Sequence, residues 1–317
     1  MVIGQKVCRE YPAHLNLIIN CMNYKKILKQ AIDLHVHVGP EIIPRKFTVA
    51  ELIKNEKNKI KGVGIKNHFF PTTALDRPKN NFAGPFVIDS VVLNNFIGGF
   101  NTEAIRSAAE LADRPIMVWF PTLHAKNCLK KQKYEIPQEW IDPEILARIK
   151  LRLAKDIEPL SIFDRCKKMK REIFSVLQTI KECNAILATG HLSWKESLCL
   201  VKIAKSKFGI EKIIITHPIY QQIKMPISVQ KQVVKYGAVI EHCYSMYSID
   251  KVPIRDIVRQ IKSVGAANCI LSSDVGQKFS PSPSIALRKF MELLNREGIS
   301  ESEIEVMLNK NPARLVG

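Results

Sequence analysis

The feature that most constrains this chain is a regular alternation. Eight short apolar runs are separated by amphipathic stretches with helical spacing. The runs are Ala31–His37, Gly62–His68, Phe86–Leu93, Pro115–Pro121, Ala185–His191, Lys212–His217, Ala238–His242 and Cys269–Asp274. Most are rich in Ile and Val without polar alternation, which is how strands covered on both faces of a parallel sheet read. Helix signals stand between them. Asn101 can cap a helix reaching Leu111, and Ser193 with Glu196 makes a capping box ahead of Leu198–Phe208. Val252–Val264 is helical by spacing and stops at Gly265, Pro283–Arg296 follows, and Ser300 with Glu303 opens the last helix. Strand–helix alternation repeated eight times predicts an α/β fold, a (β/α)8 TIM-type barrel. A doubly wound open sheet would need a glycine-rich turn after its first strand, and His37-Val38-Gly39-Pro40 is no phosphate cradle.

Two segments exceed a minimal barrel. Residues 1–29 form a predicted N-terminal extension, within which Met22 is an alternative start. The barrel domain spans 30–317, and 122–184 is a long insertion after the fourth strand. Two helices are predicted within it, Pro143–Lys155 and Phe163–Lys181. An insertion there lies over the C-terminal mouth as a lid or a subunit contact, so a homo-oligomer is one expectation.

Charge raises a competing reading. The 317 residues carry 48 Lys and Arg against 30 Asp and Glu, a net charge of +18, and phosphate binding draws on basic residues. However, 34 of the 48 are Lys, spread along the chain among Glu and Ile. That reads as a solvated surface that can draw an anionic small molecule toward the mouth, rather than as a nucleic-acid interface. No apolar run approaches the roughly 18 residues of a membrane span. Leu15–Asn20 is too short for a signal peptide and lacks a small-residue cleavage site. The eight cysteines show no CxxC spacing, and Cys199, Cys243 and Cys269 sit in apolar surroundings. Buried thiols in a reducing cytoplasm are the simplest account.

The chemistry falls where the apolar runs end. The first run closes Asp33-Leu34-His35-Val36-His37, and residues two apart on a strand project to one side, so His35 and His37 make a ready pair of metal ligands. The fifth run ends at His191, the sixth at His217 and the eighth at Asp274. Catalytic residues of barrels come from such strand ends, so the joint pattern predicts a metal site. Lys66, His68, Thr72, His124 and His242 also lie near strand ends, and His68 and His242 are expected to line the pocket.

This pattern resembles the amidohydrolase superfamily of metal-dependent hydrolases. The closing Asn311-Pro312-Ala313-Arg314-Leu315-Val316-Gly317 is similar to an ending common in that superfamily, and the resemblance covers roughly residues 30–317. Lys66-Asn67-His68, Leu93-Asn94-Asn95 with Gly98-Gly99-Phe100-Asn101, and Val118-Trp119-Phe120-Pro121-Thr122 resemble an uncharacterised branch of it. The resemblance implies that His35, His37, His191, His217 and Asp274 hold one or two divalent ions, zinc first, with manganese, iron or nickel as alternatives. It implies Asp274 as proton acceptor from activated water, and His217 as a group that polarises the substrate carbonyl if one metal is bound. Binuclear members add a bridging carboxylated Lys or a Glu, usually from strand four or three. The fourth run, Ile116–Phe120, offers neither, and Lys66 is the one inward Lys candidate. Lys66 is open to three roles: bridge or catalytic amine, binder of a substrate anion, or structural ion pair.

The expected activity is hydrolysis of an amide, cyclic amide, lactone or ester of a small, anionic molecule. A decarboxylase or other lyase on the same scaffold is the alternative, followed by a phosphoesterase. A non-enzymatic metal or nucleic-acid binder ranks last, because it has no need of an Asp base at a barrel mouth.

Overall fold

The computed structural model describes residues 24–75 and 84–317. Within them the eight apolar runs form nine strands: β1 (Ile32–His37), β2 (Gly62–Lys66), β3 (Phe86–Ile88), β4 (Ser90–Val92), β5 (Met117–Trp119), β6 (Ile186–Ala188), β7 (Ile213–Ile215), β8 (Val239–Cys243) and β9 (Cys269–Ser272). Every ladder between them is parallel, in the orders β1-β2-β3 and β4-β5-β6-β7-β8-β9.

The third run makes two strands because it changes partner at Asp89. Side chains replace the ladder there. Thr72 donates its hydroxyl to Asp89 at 2.9 Å and accepts the Ser90 amide at 2.8 Å, while the Ser90 hydroxyl takes the Ile65 carbonyl at 2.6 Å. The ring closes past the ends of β1 and β9. Asp274 N donates to His35 O and His37 N donates to Val275 O, both at 2.8 Å. Asp33 strengthens this seam by accepting the Ser273 amide at 3.0 Å. The eight runs thus complete a (β/α)8 barrel.

Strand alternation sorts the side chains into two cores. Ile32, Leu34, Met117, Trp119, Ile186, Ile214, Val239 and Ile270 fill the barrel interior. Their neighbours Val118, Leu187, Ile215, Ile240 and Leu271 face the helices. Burying each such side chain contributes roughly 1.5–3 kcal/mol. Helices match by burying one stripe: Arg171–Glu182 buries Ile173, Val176, Leu177 and Ile180. Asn101 caps Thr102–Leu111, and both predicted capping boxes, at Ser193 and Ser300, are made. The C-terminal helix Asn311–Val316 plugs the lower end with Leu315 and Val316, pinned by the Asn311 amide to Ala266 O and Cys269 O at 3.0 and 2.7 Å.

Between β5 and the next strand the helices are shorter than predicted. Pro143–Arg148 is followed by a 3-10 turn at Ala154–Asp156, and the second helix begins only at Arg171. Arg171–Glu182 is itself the barrel helix ahead of β6, so the irregular stretch ends near residue 170. Of the predicted extension, residues 1–23 lie outside the described residues, and Tyr24–Gln30 is helical. Among the described residues no helix is long and apolar enough to cross a membrane.

Candidate functional site

Interior alternation decides which strand-end side chains meet. In β1 the ladder register shifts between Asp33 and Val36. Ile32 and Leu34 are interior, and the shift brings His35 to the same side, with its ring 4.5 Å from that of Trp119. His37 then follows at period two, its ring 5.3 Å from that of His35.

Three donor atoms converge. His35 Nε2 lies 3.0 Å and His37 Nε2 3.1 Å from Asp274 Oδ1. The ligand atoms of these three residues lie within 4.8 Å of one another, a spacing that could hold one cation. A test of fit comes from His35 itself. Its Nδ1 faces Glu241 Oε2 at 3.3 Å, a carboxylate partner that favours a proton on Nδ1 and so leaves Nε2 as the ligand atom when a metal binds. Lys66 Nζ stands 3.1 Å from the same Nε2 and 4.1 Å from the centre of the Trp119 ring. The donor set, N, N and O, suits a divalent ion. Two further groups, His35 with Glu241 and Cys243, and His37 with Glu41 and His68, have similar spacing. Glu241 and Glu41 are already committed to His35 and to Arg45.

His191 and His217 stand beside this cluster rather than inside it. The His217 ring is 5.8 Å from that of His35 and 5.1 Å from that of His191. Tyr220 packs 5.3 Å from both. Cys128 Sγ sits 3.3 Å from His191 Nδ1. Gly190 sets the turn before His191: its φ is +57°, and a Cβ there would meet Phe120 O at 2.1 Å. Asp274 also has a positive φ, +50°, strained for a residue with a side chain and held by its amide bond to His35 O.

Electrostatics follow from burial. Desolvation holds His37 and His191 well below the ordinary imidazole range and pushes His217 down to about 4, so all three are neutral near pH 7. Burial alone would raise Asp274, but His35 and the hydrogen bond from His37 outweigh it and hold the carboxyl well below its usual range. Burial likewise lowers Lys66 to about 8, against the opposing pull of Asp274 and Glu241.

Two expectations need correction or refinement. His242 does not line the pocket. With Val239 inward on β8, period two turns Glu241 to the site and His242 to the opposite face. There His242 is fully buried, with neither ring nitrogen hydrogen-bonded. His124, less clearly placed by the sequence, accepts the Asn95 amide at Nδ1 and meets Glu135 at Nε2 at 2.6 Å, so both nitrogens are structural. His68 does face the cavity, with Nδ1 3.0 Å from Thr122 Oγ1. The residues that sequence reasoning missed are Glu241, Trp119, Ser245, Glu41 and Arg45. Glu241 was within reach, since alternation counted from an apolar Val239 points it inward. Ser245, whose hydroxyl donates to Asp274 Oδ2 at 2.6 Å, carries no sequence signal.

The cluster floors a cavity of about 510 Å3, a size for a small molecule. His37, Lys66, His68, His191, His217 and Asp274 line its base, and Leu123, Lys131, Tyr134, Ile136 and Trp140 from the segment after β5 line its upper wall.

Comparison with known proteins adds the following. Residues 30–241 match one protein family, a family of unknown function, DUF6282. No curated protein matches the sequence. Among solved structures, the fold is similar to that of the probable dipeptidase PvdM from Pseudomonas aeruginosa, with a TM-score of 0.59 at 11% identity over 96% of this chain and 98% of the other. It is also similar to the TatD homologue YJJV from Escherichia coli K12, with a TM-score of 0.53 at 12% identity over 91% and 98%. These likenesses are of fold.

Proposed function

This chain belongs to DUF6282, a family of unknown function, and from its barrel fold and the groups at its strand ends we propose that it is a metal-dependent hydrolase of a small molecule. Its substrate would be an amide, cyclic amide, lactone or ester. The observation that carries the reading is the convergence of His35, His37 and Asp274, of which His37 and Asp274 line the cavity and His35 stands behind them. A fold neighbour described as a probable dipeptidase is a precedent for amide cleavage on such a scaffold.

His35 and His37 would hold a divalent ion with Asp274, and His191 and His217 stand ready to complete its shell. Zinc suits this N/O set first, with manganese, iron or nickel as alternatives. When bound, such an ion lowers the pKa of water toward neutrality and polarises a carbonyl. The protein's own groups do the rest. Glu241 fixes the tautomer of His35. Ser245 holds Asp274 Oδ2, leaving Oδ1 toward the histidines to accept a proton and return it to a leaving group. Neutral His217 can donate a hydrogen bond to a substrate carbonyl. Trp119 takes the inward place on β5 where a bridging side chain would stand, which supports a single ion. The stretch 122–170 acts as the lid, and free thiols among the described residues suit a cytoplasmic setting.

Decarboxylation is the second reading, favoured by Lys66. A buried ammonium with a pKa near 8 is a proton donor for a carbanion. Phosphoester cleavage needs more converging ligands than the three of this cluster among the described residues.

Elemental analysis of the purified protein should find one divalent ion per chain. Asp274→Asn should abolish turnover across a panel of lactones and cyclic amides while circular dichroism stays unchanged. Metal-free protein that retains turnover, or full activity in the variant, would sink the reading.

A further inference from the structure

A buried guanidinium beside the cavity has a donor to spare. Arg45 lies in the loop after β1, where Gly39 N donates to Phe47 O at 3.0 Å and Lys46 N to Gly276 O at 2.7 Å. Its side chain is 1% exposed. Nε and Nη2 both donate to Glu41 Oε2, at 2.8 and 2.6 Å. The other oxygen of Glu41 accepts the His68 amide at 2.6 Å. Glu41 is thus held from both of its oxygens, and it fixes the plane of the guanidinium. Nη1 is left buried with no partner. Arg45 lines the same cavity as His37, His68 and Asp274.

We propose that Arg45 Nη1 anchors a carboxylate carried by the substrate, so that the substrate is a small organic acid whose other end reaches the His37 and Asp274 cluster. The inference rests on reading this cavity as the substrate site. A guanidinium N–H pair matches carboxylate oxygens in direction and charge. The remaining walls suit an organic body: Ile43, Leu123, Ile136 and Trp140 are apolar. One free nitrogen favours a carboxylate over a phosphate group, which takes several donors. Lys131 and Lys133 at the upper wall add positive charge along the way in.

The test is calorimetric and reads binding alone. Metal-loaded wild-type protein is titrated with benzoate, phthalate and succinate, with benzamide and inorganic phosphate as comparisons. At least one carboxylate should bind about tenfold or more tightly than benzamide and than phosphate. Arg45→Lys keeps the charge beside Glu41 but lacks the second nitrogen of the fork, and it should lose about tenfold in carboxylate affinity with metal content unchanged. Equal binding of benzoate and benzamide, tighter binding of phosphate, no carboxylate binding at millimolar concentration, or an unaffected Arg45→Lys variant would each overturn the proposal. Arg45→Gln, which keeps a donor toward Glu41 and removes the charge, is the second variant should Arg45→Lys fail to fold, and carboxylate affinity unchanged in it would overturn the proposal. Absent turnover or absent metal would count against the hydrolase reading and leave these binding outcomes to speak for themselves.

Discussion

At the scale of single residues, the site is built from imidazoles and one carboxylate held in place by second partners. Glu241 is the clearest case. Its bond to His35 Nδ1 turns Nε2 toward Asp274, so Glu241→Gln should loosen metal binding by about 10- to 100-fold while the fold persists. Competition with a chromophoric chelator measures this, and unchanged affinity would remove Glu241 from the site. His242 next to it shows the reverse situation. Burial pushes its pKa from 6.5 down to about 4. Below about pH 6.5 the unfolded chain takes up a proton there and the folded chain does not until near pH 4. The stability is thus complete above 6.5 and is lost as the pH falls through that window, by roughly 3 kcal/mol at most. His242→Leu should flatten the fall in urea midpoint between pH 7 and 4.5, and an identical fall in the variant would contradict it. His35, His37 and Asp274 could be picked from the sequence because each ends an apolar run. Arg45 and Glu41 could not, because a loop four to eight residues past His37 has no periodicity to follow.

At the scale of elements, strand ends and turns do the positioning. The register shift in β1 brings His35 inward after Leu34, and strict alternation from Ile32 would have sent it outward. Gly190 is the tightest turn beside the site. Gly190→Ala would press a methyl group against Phe120 O in a positive-φ backbone, so it should cost about 2 kcal/mol or more by thermal unfolding and displace His191. A wild-type melting temperature would show that the turn can open. Caps and amphipathic stripes were legible because they depend on residues three or four apart. The shortened helices between β5 and residue 171 were not. Leu123, Ile136 and Ile141 there form a small core of their own, while Glu135 takes His124 and Arg152, so tertiary contacts override helical spacing.

At the scale of the whole molecule, the barrel is closed below by its own C-terminus and open above onto the cavity. Asn311 makes two hydrogen bonds, to the buried Cys269 carbonyl and the half-buried Ala266 carbonyl, so Asn311→Ala should cost about 1–3 kcal/mol in chemical denaturation without altering metal content. A neutral substitution would show that Leu315 and Val316 hold the plug unaided. The closing Asn-Pro-Ala-Arg segment therefore serves the barrel's lower end, far from the strand ends that carry the chemistry. The basic excess reads as surface character, with Lys66 as the Lys drawn to the floor of the site. By itself the sequence determined the barrel and most of the polar floor, because burial writes a period of two or 3.6 into the chain and polar residues interrupt it at strand ends. Only the tertiary structure decided which donors meet, that Glu241 rather than His242 faces them, and that Arg45 keeps a donor free. Those outcomes depend on register, on closure between β1 and β9, and on contacts across some 200 residues of chain, from His35 to Glu241, which no local pattern encodes.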